Sequence, residues 1–593
     1  MNEVWSLEEL YTGWEDERFL EDIQKLDQKI QEFNEFADKK LLSDNKTEQR
    51  EIIREGLLKL EEIAQLQTNL GVYCVLRQSA DTTDSQSASY SGLIEKKSSN
   101  MTKAYTRLKS YIANVTDLTE VIGEDEILKE YKDLLEQIKE AVKYQRSEDV
   151  EEVMTKLNLS GGTAWSDLQS YLTSMVKVEY NGETTTLSAI RNLAYSSDAT
   201  VRKAAYEAEL ACYEKIQDAV AFSLNSIKLQ TITTTELRGY ESPLDMTLKH
   251  SRMKRETLEA MLTAIKEYLP KFHEYYIAKG KLFGSENGLA WYDMFAPVGK
   301  VHRTYTTQEA KDYLLELFGT FAPDLKEMAR RAFEEAWIDF FPRKGKVGGA
   351  FCCNISTLKQ SRVLTNFDGS FSDIVTIAHE LGHAYHNQNI HSHRILNSDY
   401  TMPVAETAST FNENVVMKAA ISAASGEEKL ALLESRLQDT AQIICDIYSR
   451  FLFESAVFEK RSDKFLFPDE LCELMHNAQK QAYGKGLLEE TLHPYMWICK
   501  SHYYSAGLSF YNFPYAFGGL FARGLYAKYE KEGKEFLPKY RKLLYSTPIC
   551  SVEDAANVAG IDLTNPEFFR TGLEAFAKEI DEFIALSQQI KQN

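Results

Sequence analysis

Three histidines and one glutamate fall within the fourteen residues VTIAHELGHAYHNQ, positions 375–388. The stretch contains no proline, and Ile374, Ile377, Leu381 and Ala384 recur at helical spacing, so one face of a helix is apolar. His379, His383 and His386 fall roughly opposite that face. His379 and His383 are one turn apart, so both imidazoles can reach a single ion, and neutral imidazole is a good zinc ligand. Glu380 lies about 100° round the helix from His379. That is poorly placed for ligation, but within reach of a water beside the metal. This HExxH pattern supplies two ligands and a general base. His386 shares the face, but seven residues of rise put it about 10 Å from His379. It is expected outside the ligand set, as a supporting or surface histidine.

A catalytic zinc site with one open position needs a third protein ligand. The metzincin solution requires Gly at 386 and His at 389, whereas this chain has His386 and Asn389. A glutamate on a following helix is the other common solution. Between Ala384 and Val415 the acidic residues are Asp399, Glu406 and Glu413. Asp399 sits in SDYTMP, a loop by composition. Pro403 is suited to open a helix, PVAETASTFNENVVMKAA, with Glu406 in its first turn. Glu406 is therefore the expected third ligand. Glu413, seven residues on and on the same face, is placed to orient a ligand imidazole from behind.

The elements that must position these residues are mostly helices. ERFLEDIQKLDQKIQEFNEFADKKL and EQREIIREGLLKLEEIAQLQTNLGVYCVLRQ read as long amphipathic helices within residues 15–80, and another helical block runs to about 158. Interruptions at DNKT, TTDSQ and SGG favour antiparallel bundle packing over one continuous coiled coil. KVEYNGETTTL reads as a hairpin turning at Asn181-Gly182. Helices resume near 186, and strand signals return near 299–305 and 346–367.

At 593 residues, 44% hydrophobic and 26% charged, the chain is globular and long enough for two or more lobes. It has no apolar run of membrane-spanning length, and its acidic start lacks a signal peptide's basic and apolar segments, so a cytoplasmic location is expected. Eight cysteines without a C-x-x-C pair suit reduced thiols, and Cys352–Cys353 reads as small apolar residues in a strand. A net charge of −21 argues against nucleic-acid binding.

HELGH followed by AETAST resembles the thimet oligopeptidase and oligoendopeptidase F family of zinc peptidases. Four further segments agree in order along nearly the whole chain: WSLEELYTG (5–13), LAWYDMFAP (289–297), KVGGAFCC (346–353) and FYNFPYAFG (510–518). The resemblance implies a mostly α fold, with two helical lobes enclosing a deep cleft and a small β-sheet beside the HExxH helix. An N-terminal lobe of 1–195 would precede a catalytic region of 196–593. It also implies one Zn2+ per chain, held by His379, His383 and Glu406, and internal cleavage of short unstructured peptides. KVGGAFCC would be the strand along the bound peptide. Tyr511 and Tyr515 would donate to the oxyanion, with His502 beside them. His502 precedes Tyr511 by nine residues, a longer spacing than the family pattern, which leaves His493 as a second possibility. Two other readings are a non-catalytic helical peptide-binding protein on a peptidase framework and a zinc enzyme acting on other amides. The intact HExxH and Glu406 speak against the first, and the peptide-edge and tyrosine segments against the second.

Overall fold

The computed structural model describes residues 2–41, 48–299 and 303–592. The expected break at DNKT and positions 300–302 of the strand expected at 299–305 lie outside those residues. Positions 303–305 carry no strand. The rest is mostly helical, with a two-stranded hairpin and one three-stranded sheet among the described residues.

Two units interleave along the chain. The first comprises residues 1–144, 303–416 and 528–560, and the second 145–302, 417–527 and 561–593. This differs from two contiguous lobes parting near 195. The physical reason is a shared core. Helix Glu17–Lys40 buries Phe19, Ile23, Leu26, Ile30 and Phe33, one face at three- and four-residue steps, and Gln49–Ala80 answers with Ile53, Leu57 and Leu60. Ile355 and Leu364, from sheet strands nearly three hundred residues later, complete the same hydrophobic cluster. Buried Glu61 also receives the Arg394 guanidinium and the Tyr131 hydroxyl.

That sheet consists of β3 (Ile338–Asp339), β4 (Phe351–Ile355) and β5 (Gln360–Leu364), in the order β3-β5-β4. β5 pairs parallel to β3 and antiparallel to β4, which leaves β4 at an edge. The glycine-rich approach to β4, Lys346–Ala350, is irregular rather than strand. It is pinned by a buried ion pair between Lys346 and Asp339 and by Asn366, whose amide donates to the Val347 and Gly349 carbonyls. WSLEELYTG lies against the same sheet: Arg362 of β5 donates to the Ser6 carbonyl at 2.7 Å and to Glu9 at 3.1 Å.

In the second unit, β1 (Lys177–Tyr180) and β2 (Glu183–Thr186) form the expected hairpin. Asn181 and Gly182 both have positive φ, as a two-residue hairpin turn requires. The SGG signal produces a kink rather than a break. Helix Glu148–Asn158 continues through a π turn at Leu159–Thr163 into Ala164–Met175, and only Gly161 leaves helical geometry.

Candidate metal centre

The HELGH segment lies in helix Phe371–Ile390, here the histidine helix. Ser370 and Asp373 cap its start reciprocally, and the Asp373 carboxylate also accepts from the Asp368 and Gly369 amides. Its apolar side is buried as expected, with Ile374, Ile377 and Leu381 fully enclosed. Beyond the metal-bearing turns, Asn387 donates to Ser361 Oγ of β5 at 3.1 Å.

Facing it, Met402–Ala405 forms one short turn and Thr407–Ala423 the following helix, here the glutamate helix. Glu406 sits at the junction between them rather than in the first turn of one continuous helix. The two elements approach very closely at Gly382. A Cβ there would lie 2.4 Å from the Ala408 carbonyl oxygen and 2.5 Å from Ser409 Cα. Buried Asn412 bridges the pair by donating to the Ala378 carbonyl at 3.0 Å.

This approach brings donor atoms of His379, His383 and Glu406 within 4.8 Å of one another. Glu406 Oε2 is 3.3 Å from His379 Nε2 and 3.5 Å from His383 Nε2. His379 Nδ1 lies 2.5 Å from Glu413 Oε1, so Nδ1 carries a proton and Nε2 is the nitrogen turned toward Glu406. Ser409 Oγ donates to Glu406 Oε2 at 2.6 Å and fixes that carboxylate. The residues fit a cation: two imidazole nitrogens and a carboxylate oxygen converge, the donor set zinc favours.

The electrostatics agree. Burial opposes charge on His379, but the Glu413 hydrogen bond, with the charges of Glu413, Glu406 and Glu380, raises it to about 9. Burial and the charge on His379 hold His383 down at about 4 despite Glu406. A positive charge is thus favoured at this spot. Glu380 is 5% exposed, and its Oε2 has no hydrogen-bond partner among the described residues. Burial pushes it up to about 7 against the charge on His379, with smaller upward contributions from Glu406 and Glu413.

His386 is not a surface residue. It is fully buried, stacks on Tyr400 at 3.9 Å and donates from Nε2 to Thr547 Oγ1, whose own proton goes to the Leu544 carbonyl.

The second unit brings together the other expected residues. His502 stacks on Tyr511 at 5.2 Å between ring centroids and meets Tyr515 edge-on at 6.0 Å, and the two tyrosines are 5.7 Å apart. The nine-residue spacing is taken up by a short turn at Ser501–Tyr503 and a loop ending in Phe510, which has positive φ, ahead of helix Phe513–Glu532. His493 is elsewhere. It is buried among Tyr206, Tyr213 and Trp291, 3.5 Å from Glu209. Burial and the charges of Arg450 and Lys500 lower His502 below its ordinary range, so it is neutral near pH 7.

Sequence reading missed Gly382, Ser409 and Asn412. A glycine inside a helix was the available signal for the first, since it carries a helix penalty unless something packs against it.

Fold and site together point to a class: a mostly helical protein whose HExxH helix carries residues that could hold a metal, as in metallopeptidases. Comparison with known proteins agrees. The model of Peptidase family M3 matches residues 192–547, and a second model, Oligopeptidase F, matches residues 114–177. The chain belongs to peptidase family M3, a family of metallopeptidases. It is similar to Oligopeptidase PepF of Bacillus subtilis, 23% identical over all of this chain and 88% of that protein. Among solved structures it shares the fold of a candidate peptidase from Chlamydophila abortus, 19% identical with a TM-score of 0.84 over 98% of each chain. Oligoendopeptidase-F from Enterococcus faecium is also 19% identical, with a TM-score of 0.70 over 96% of this chain and 99% of that one.

Proposed function

We propose that this protein is a zinc-dependent endopeptidase that cuts internal bonds of short, unstructured peptides. The observation that carries the reading is the convergence of His379, His383 and Glu406 beside a buried carboxylate, Glu380, with one oxygen left without a protein donor. His379, His383 and Glu406 would hold one zinc per chain, which when bound supplies Lewis acidity to the scissile carbonyl and to attacking water.

The chain's own residues do the rest. Glu380 takes a proton from water as it attacks the carbonyl carbon, then passes it to the departing amine. Glu413 fixes the His379 tautomer, and Ser409 fixes the Glu406 carboxylate. Tyr511, Tyr515 and neutral His502 supply hydroxyl and imidazole donors to the oxyanion. This assignment is supported by the family motif and by the clustering of the three rings. Edge strand β4 offers main-chain groups to an extended peptide, the support for reading KVGGAFCC as the substrate edge.

The name oligopeptidase carried by the Bacillus subtilis relative supports short substrates. Eight free thiols support a reducing compartment, the cytoplasm. No described helix is long and apolar enough to cross a membrane.

The purified protein should be incubated with a mixed peptide library, with and without a chelator, and products read by mass spectrometry. Internal cuts that vanish on chelation and return with zinc support the reading, whereas chelator-resistant cleavage or no cleavage removes it.

A further inference from the structure

The second unit encloses a pocket of about 300 Å³ that the chemistry above does not use. Aromatic faces of Tyr206, Trp291 and Tyr483 form its walls, and Arg191, His493 and Lys500 bring cationic or titratable groups to it.

The charges lining this pocket do not balance locally. Glu209 already has Tyr213 donating at 2.8 Å and Arg191 at 3.4 Å, and Asp446 is paired with Arg450. Arg202, also on the wall, is held by Asp293 and by the Ser196 carbonyl. Lys500 remains. Asp446 attracts its ammonium, but that carboxylate is already paired with Arg450. Burial lowers its proton affinity, and Arg450 and Arg191 lower it further against the pull of Asp446. His493 is 1% exposed; its Nε2 lies 3.5 Å from Glu209, and its Nδ1 has no hydrogen-bond partner among the described residues. A half-buried ammonium whose attracting acid is shared with an arginine is under-compensated, and an anion delivered from solvent relieves that cost. The volume is at the small end of small-molecule sites and suits a ligand of amino-acid to dipeptide size. The flat aromatic walls suit a planar apolar body, with ring faces and edges available for packing.

We propose that this pocket binds a small organic carboxylate bearing an aromatic side chain, with the carboxylate on Lys500 and the ring among Tyr206, Trp291 and Tyr483. The site is read as a binding site in its own right, measured without reference to turnover.

Calorimetric titration of the full chain with N-acetylphenylalanine and with its neutral amide tests this. The acid should bind at least about tenfold tighter than the amide, the margin of one charge-assisted hydrogen bond. Lys500→Met should erase the difference and Lys500→Arg should keep it. Titration after removal of metal by dialysis against a chelator, then chelator-free buffer, should leave the acid's affinity unchanged. Equal affinity for acid and amide in the wild-type chain would overturn the proposal whatever the variants do. So would undiminished acid binding in Lys500→Met, or binding that disappears with the metal.

Discussion

His379 and Glu380 are adjacent, yet their substitutions should fail differently. His379→Ala or Glu406→Ala leaves two protein ligands, so metal content should collapse. Full zinc occupancy in Glu406→Ala, measured by atomic absorption, would show that another residue completes the site. Glu380→Gln should retain zinc and bind peptide normally while losing about 10²–10⁴ in kcat, because only the proton acceptor is gone. An active Glu380→Gln enzyme would remove the HExxH reading entirely. Ser409→Ala tests a subtler dependence. Its hydroxyl holds Glu406 Oε2, and losing such support typically weakens metal binding about 10–100-fold. Zinc competition with a chromophoric chelator measures this. An unchanged affinity would mean that the junction backbone alone positions Glu406.

Gly382 shows how two helices become one site. The Cβ of Gly382→Ala would press on Ala408 and Ser409 backbone, which cannot swing aside like a side-chain tip. The variant should lose about 1–3 kcal/mol of stability. It should also bind zinc more weakly, since the histidines and Glu406 ride on the two elements it separates. Calorimetry and metal titration check both effects, and a variant that melts normally with full zinc would contradict the packing argument. The same helices show what was legible in the sequence. His379 and His383 could be paired from spacing alone, because one helical turn fixes their relation. Glu406 followed by elimination, and Glu413 from its seven-residue offset. Ser409 and Asn412 could not be found that way, since their partners are set by the approach of a second element. β3 was missed because two residues carry no strand periodicity, and the SGG kink was read as a break because glycine signals both. The tyrosine cluster was reached through family resemblance, as spacing alone left His493 in contention.

For the molecule as a whole, buried histidines tie stability to pH. Burial, reinforced by the charge on His383, lowers His386 to about 3, and burial with the charge of Lys359 lowers His391 to about 4. An unfolded histidine takes its proton near 6.5, so below that pH the unfolded chain binds more protons than the folded one. This contribution is therefore full above 6.5 and shrinks as pH falls toward the folded values. His386 alone should cost about 2 kcal/mol between pH 6.5 and pH 5. Denaturant melts across that range should show the loss, and His386→Gln should flatten the slope. An equal slope in the variant would exclude His386 as its source.

The interleaving of the units has a consequence for synthesis on the ribosome. The histidine helix is made well before its supporting segment, residues 528–560, which supplies Thr547 to His386 and Arg541 to the Asp324–Tyr385 pair. A nascent chain that has released the HExxH helix therefore holds metal ligands on an element whose back is still unpacked. The first unit can close only after residue 560 emerges. Chains stopped short of that point would carry His379, His383 and Glu406 without the packing behind the histidine helix that residues 528–560 supply.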